Sequence, residues 1–298
     1  MTVWTDIPDD VVSWFREVFA NANSRVTERL LNVPNIRETS LDDGLVEAII
    51  PFTPPRLLPS NAVVQMHVHN IGGLRRYGKW ETADIAVVVY VYHVGKMIGQ
   101  KIGFLQSKRL FPHNKEVDYD DPITFDYGLN GLLHKDPRSP IGKLNRRFEF
   151  NRLSRYGSLE AESEQTESIE LLNAEFGDSV YYLFYNPPTL PSTTIYPVTA
   201  FQQVSNPPLG CRVFSAKEIN AVLARLKRGV APTFRMIDGA GTHSNWRLEE
   251  WAADLLLRCK VGQEFTRGRE EIMGRLIERR SGPIGAVISA SIALPSKG

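Results

Sequence analysis

Residues 80–110 read WETADIAVVVYVYHVGKMIGQKIGFLQSKRL, and this stretch decides the fold. An acid, Asp84, opens an apolar strand, a short turn follows, and a second strand closes on Gln106-Ser107-Lys108. Strand side chains alternate between the two faces of a sheet, so Gln106 and Lys108 point to the same side. If the two strands pair as a hairpin, Asp84 lies opposite the end of the second. A carboxylate, an amide oxygen and an ammonium then share one small patch.

Those groups suit phosphate chemistry. Hydrolysis of a phosphodiester calls for a hard cation such as Mg²⁺, held by oxygen ligands, to polarise the phosphate and acidify the attacking water. Asp84 and Gln106 supply oxygens, while the Lys108 ammonium orients the water or stabilises charge developing on the phosphate. The competing reading of Asp84 is a strand-end acid in a surface salt bridge with Lys108, which does no chemistry.

A second acid lies upstream. In residues 37–51, RETSLDDGLVEAIIP, the apolar Leu41, Leu45, Val46 and Ile49 recur with helical spacing, with Thr39 or Ser40 as the expected cap and Glu38 at the helix start. Helix, strand (62–69), hairpin and Gln-x-Lys strand, in that order, resemble the core of the restriction-endonuclease-like superfamily, the PD-(D/E)xK nucleases. The likeness is to the variant in which Gln replaces the second acid. The chain also resembles an uncharacterised bacterial family with this core through Glu38-Thr39, Trp80 with Asp84, Gln106-Ser107-Lys108-Arg109, Tyr182-Leu183-Phe184-Tyr185-Asn186, and Gly210-Cys211 through Ser215-Ala216. Ala83 stands where the superfamily commonly has Pro.

The resemblance implies an α/β fold with a mixed central sheet flanked by helices. It implies that Glu38, Asp84 and Gln106 hold Mg²⁺ or Mn²⁺ and that Lys108 completes the catalytic set. The implied activity is that of an endonuclease, with DNA favoured over RNA, and the superfamily's frequent role in bacterial defence suggests an antiphage effector. A free nuclease is toxic, so a regulatory protein partner or a homo-oligomer is expected by analogy. The alternative is a catalytically silent nucleic-acid-binding or interaction subunit with the same fold.

Composition sets wider bounds. The chain has 298 residues, 42% hydrophobic and 23% charged, which is ordinary for a globular protein long enough to bury a full core. A net charge of +1 leaves nucleic acid open as a ligand, because positive charge can concentrate on one face. Two cysteines, Cys211 and Cys259, exclude a disulfide framework and a zinc cluster of the usual spacing, and they fit a reducing cytoplasm. Asp6, Asp9 and Asp10 stand where a secretory signal would be basic and then apolar. The longest apolar tract, 284–294, falls short of the about 20 residues that span a bilayer, so a cytoplasmic protein without a membrane segment is expected.

Along the chain, 11–31 has helical periodicity with an expected break at Asn21-Ala22-Asn23, and Pro34 ends it. Prolines 54, 55 and 59 make 52–60 a connector, and 111–142 reads as a long loop that frames the site or lies on the surface. Residues 160–176 read as an acidic helix and 179–185 as an aromatic strand. A helix over 215–227 capped by Ser215 and helical stretches at 249–259 and 264–280 follow. The expected organisation is an N-terminal helical segment (1–34), a nuclease-like α/β core (35–210) and a mostly helical region (211–298) packed on it.

Nucleic acid has its own signal. Residues 135–155 carry Lys135, Arg138, Lys143, Arg146, Arg147, Arg152 and Arg155, with Phe148, Phe150 and Tyr156 interleaved. Such a patch follows a phosphate backbone while its aromatics stack on bases or sugars; the plain alternative is a solvated face balancing the acidic helix. Lys143, Arg146, Arg147, Arg152 and Arg155 are the expected contacts. His67 and His69 share a strand face but lack a third ligand at zinc spacing, and Gln165 is a candidate contact to the site.

Overall fold

A computed structural model describes residues 3–71, 83–113, 146–196, 198, 200–241, 243–264 and 284–295. Its centre is a mixed sheet. The strands are β1 (Arg56–Leu57), β2 (Val63–Asn70), β3 (Ala83–His93), β4 (Lys96–Arg109), β6 (Val180–Tyr185), β8 (Arg212–Ser215), β9 (Trp246–Arg247) and β11 (Ile284–Leu294), in the order β1-β2-β11-β3-β4-β6-β8-β9. A short β10 (Gln263–Glu264) also pairs with β4. β5 (Arg146–Phe150) and β7 (Ser192–Tyr196) form a separate two-stranded sheet.

The β3–β4 hairpin forms as its sequence predicts. His93 pairs with Lys96 across Val94-Gly95, both at positive φ (49° and 72°), which suits a tight two-residue turn whose twist matches the strands. β3 runs parallel to β11 on one side and antiparallel to β4 on the other, and β4 runs parallel to β6. A strand flanked on both sides and covered on both faces is apolar throughout, which is why Ile85, Ala86, Val87, Val88 and Val89 are all buried. Each such side chain contributes about 1.5–3 kcal/mol when fully withdrawn from water.

Helices cover both faces, as alternation along β4 demonstrates. A Cβ on Gly103 would meet Trp251 and Leu256, whereas the next residue, Phe104, packs edge-on against Phe176 with ring centroids 5.4 Å apart. Trp251 and Leu256 belong to a π-helical turn, Trp251–Leu257, that continues the helical turn Leu248–Glu250. This π-helix packs with α1 (Asp9–Asn32), and α1 packs with α2 (Glu38–Ile49). Phe176 ends α3 (Glu164–Phe176) on the opposite face, together with α4 (Ala216–Leu223), whose Asn220 accepts from the Tyr182 hydroxyl at 3.3 Å.

The helix ends follow local chemistry in some places and not in others. Ser163 and Ser215 cap α3 and α4 by accepting from Thr166 N and Glu218 N, each at 3.3 Å. α2 starts at Glu38 itself with Arg37 in the cap position, so neither Thr39 nor Ser40 serves as the cap.

Three expectations need correction. α1 is continuous through Asn21-Ala22-Asn23, because Asn23 turns inward: its Nδ2 donates to Glu249 (2.9 Å) and its Oδ1 accepts from Cys211 N (2.8 Å). Where a mostly helical 211–298 region packed on the core was expected, its described residues combine helices with β8, β9, β10 and β11 of the main sheet. The apolar tract 284–294 is β11, seated between β2 and β3. Glu264, expected to begin a helix, lies in β10, and most of 264–280 falls outside the described residues. Among the described residues no helix is long and apolar enough to cross a membrane.

Candidate active site

The site forms where the start of β3, the end of β4 and the start of α2 converge. β3–β4 pairing sets Ile85 against Leu105, so the next step of the register puts Asp84 opposite Gln106. Asp84 Oδ2 accepts from the Gln106 side-chain amide, from Ser107 N at 2.7 Å and from Ser107 Oγ at 3.0 Å. All three bonds fall on one oxygen, and Oδ1 accepts none among the described residues. Gln106 is 1% exposed, and its Oε1 has no hydrogen-bond donor. Donation by Nε2 to a carboxylate fixes which end of the amide is oxygen.

Lys108 is 2% exposed, and its Nζ lies 3.3 Å from Glu38 Oε1. Glu38 Oε2 accepts from Arg109 N at 2.8 Å and from Ser158 Oγ at 2.7 Å. A buried ammonium needs a carboxylate nearby, and Glu38 at the first turn of α2 is well placed to meet one.

A third acid, absent from the sequence reading, completes the cluster. Asp42, one turn beyond Glu38 on α2, accepts from Tyr185 Oη at 2.6 Å through Oδ1 and from Ser107 Oγ at 3.0 Å through Oδ2. Its position i+4 from Glu38 was the available signal, because such residues share a helix face. Tyr185 and Ser107 sit at the ends of the paired strands β6 and β4, in segments already singled out. Asp42 and Asp84 both line a cleft of about 140 Å³, with Thr39, Asp43, Asn70 and Gly285 around it.

The electrostatics follow from crowding acids out of water. Burial raises Asp84 from 3.8 to about 6; Lys108 pulls against this and Glu38 adds to it. Burial, then the neighbouring Asp84, holds Asp42 well above its ordinary value. Burial and Asp42 likewise push the Tyr185 phenol well up, keeping it a hydrogen-bond donor.

The structure therefore brings Glu38, Asp84, Gln106 and Lys108 into one cluster. Among the described residues no group of three or more His, Cys, Asp and Glu side chains is arranged to hold a metal ion. The donors that fit one are fewer and mixed: two aspartates on a shared cleft and an orphaned amide oxygen, all hard oxygen ligands of the kind Mg²⁺ and Mn²⁺ take. His67 and His69 stack with ring centroids 6.4 Å apart but stand outside this cluster. Gln165 is half-buried on α3, with no hydrogen bond to the site.

The expected nucleic-acid patch is changed. Trp80, Glu81, Lys135, Arg138 and Lys143 lie outside the described residues, as does most of the 111–142 loop, and Arg146 is described only as the first residue of β5. Arg147 pairs with Glu149 (2.7 Å), Arg152 with Asp238 (3.2 Å), and Arg155 donates to Ala231 O (2.6 Å). Phe148, Phe150 and Tyr156 are buried at 5%, 1% and 1% exposure, so they are core and do not stack on bases. Alternation explains this: β5 turns Phe148 and Phe150 inward and leaves Arg147 and Glu149 at the surface.

Compared with family models, curated proteins and solved structures, the chain matches none of them.

Proposed function

We propose that this chain is a metal-dependent nuclease that hydrolyses DNA phosphodiester bonds, built on a restriction-endonuclease-like variant of its mixed sheet. The observation that carries the reading is the orphaned Gln106 Oε1 beside Asp84, two residues along β4 from Lys108 and its buried ammonium. A buried acceptor without a donor costs about 1–3 kcal/mol. Next to carboxylates, the natural partner for that oxygen is a cation.

When bound, Mg²⁺ or Mn²⁺ supplies Lewis acidity to the phosphate and acidifies the attacking water. The chain's own groups do the rest. Asp84 and Gln106 present hard oxygens, Lys108 holds a positive charge where phosphate charge builds, and Glu38 fixes the lysine. Exposed Arg147 and Arg152 are available to the phosphate backbone once they leave Glu149 and Asp238. Preference for DNA, a role in antiphage defence, and control by a partner or by self-association come from the resemblance alone.

The second reading, a silent binding or interaction subunit, is favoured by the lack of a three-acid ligand group among the described residues. Incubation with plasmid and linear DNA in Mg²⁺, Mn²⁺ or EDTA, beside Lys108→Ala, separates the two. The nuclease cleaves only with metal, and the variant loses roughly 100-fold or more of that rate. Metal-independent silence of a folded protein whose DNA affinity survives Asp84→Ala and Lys108→Ala would favour the second reading.

A further inference from the structure

Glu38 and Asp42 stand one turn apart on α2, yet their carboxylates meet opposite kinds of partner. Both Glu38 oxygens are filled by donors: Lys108 Nζ on Oε1, Arg109 N and Ser158 Oγ on Oε2. Asp42 instead shares a single hydroxyl with Asp84. Ser107 Oγ lies 3.0 Å from Asp42 Oδ2 and 3.0 Å from Asp84 Oδ2, but it carries one proton and donates to one of them at a time. One of these two oxygens therefore always faces the hydroxyl without receiving its proton, and Asp84 Oδ1 accepts no hydrogen bond among the described residues. Both aspartates open onto the same cleft, which Glu38 does not line. Gln106 does not line the cleft either, but its amide is bonded to Asp84 through Nε2, and its buried Oε1 has no donor.

We propose that the cation-binding side chains of this site are Asp42, Asp84 and Gln106, and that Glu38 is a positioning residue for Lys108. The inference rests on the nuclease reading and reassigns one acid within it. A hard divalent cation takes oxygens whose lone pairs are uncommitted. Glu38 already holds the Lys108 ammonium on Oε1 and two donors on Oε2, so a cation there would sit against a positive charge. Asp84 can offer Oδ1, which accepts no hydrogen bond among the described residues, while Oδ2 keeps its donors; Asp42 can offer Oδ2, giving up only its share of the Ser107 hydroxyl, while Oδ1 keeps Tyr185. The lysine is then held from one side by Glu38 and the cation from the other by the two aspartates. The phosphate-charge site and the metal site are set independently.

The test is Mn²⁺ binding to the full chain by titration calorimetry, for wild type, Asp42→Asn, Asp84→Asn and Glu38→Gln, with melting in EDTA as the check on folding. Wild type is expected to bind Mn²⁺. Asp42→Asn and Asp84→Asn each weaken it roughly tenfold or more. Glu38→Gln leaves Mn²⁺ affinity unchanged while lowering kcat for cleavage, with little change in KM. If Asp42→Asn fails to melt cooperatively in EDTA, Asp42→Ser takes its place, keeping a hydrogen-bonding group at Tyr185. Should Asp42→Asn bind as wild type while Glu38→Gln loses Mn²⁺, the reassignment is wrong and Glu38 is the ligand. Wild type that binds no Mn²⁺ would overturn both this inference and the metal-dependent reading beneath it.

Discussion

Without metal, replacing Asp84 by Asn is expected to stabilise the protein at neutral pH, and the geometry fixes the size of the gain. Three donors converge on Oδ2 and none reaches Oδ1, so the single oxygen of an amide keeps the network while the charge disappears. Raising the carboxyl from 3.8 to about 6 corresponds to roughly 3 kcal/mol in favour of the protonated form. The side chain is only half-buried, so water screens part of this and about 2 kcal/mol remains. The sign follows from proton linkage. The folded state holds this proton more tightly than the unfolded state, so the stabilisation is complete below pH 3.8 and lost as pH rises through about 6. Wild type weakens across that window, and Asn does not. Thermal melts in EDTA should place the variant roughly 4–8 °C above wild type near pH 7.5 and level with it near pH 4. A variant that melts lower by the same margin at both pH values would refute the reasoning, because the carboxylate would then be a net stabilising partner of Lys108.

Two further outcomes follow from features away from the site. Lys101 is 1% exposed, the Cys259 thiol and Glu264 offset the burial of its Nζ only in part, and the Trp4 ring at 5.9 Å offers only a weak attraction. Lys101→Met is expected to raise stability in urea by about 1–2 kcal/mol at pH 7. Burial lowers this lysine from 10.5, so the advantage should shrink as pH rises toward that value and the wild-type amine sheds its proton; an advantage independent of pH would count against the burial argument. Gly103→Ala places a Cβ 2.8 Å from Trp251 Cζ2 and 3.2 Å from Leu256 Cδ1. It should cost about 1–3 kcal/mol by the same measurement, and a neutral result would mean that the π-helix is loosely docked.

Much of this arrangement was written locally. The run Ile85 to Tyr92 is too apolar for anything but a strand covered on both faces. A two-residue turn then forces antiparallel pairing, and Asp84 arrives opposite Gln106 with no further information. Glu38 was legible as a helix-start acid, although its ties proved to be to Ser158, the Arg109 amide and Lys108. Asp42 was hidden because an acid inside an amphipathic helix is ordinarily solvated, and only the sheet beneath reveals that this one faces Tyr185 and Ser107. Asn21-Ala22-Asn23 predicted a break on propensity, and a long-range partner, Glu249, overrode it. The 284–294 tract had length and hydrophobicity but no local feature naming its neighbours. The aromatic residues of 146–156 read as a binding surface because arginines flank them, whereas alternation along β5 puts Phe148 and Phe150 in the core and Arg147 at the surface.

The seat of β11 governs the order in which the molecule can be made. Its neighbours, β2 and β3, are synthesised roughly 200 residues earlier, and until β11 appears β3 presents an unpaired edge of Val and Ile. A nascent chain must therefore hold that apolar edge open while the roughly 200 residues between β3 and β11 are made, at about 5–20 residues per second, before closing the sheet. Gly285, which lines the cleft beside Asp84, arrives with that last strand. A ribosome-bound or truncated chain that lacks β11 consequently carries every acid of the cluster but an unfinished cleft, so completion of the sheet and completion of the site are one event.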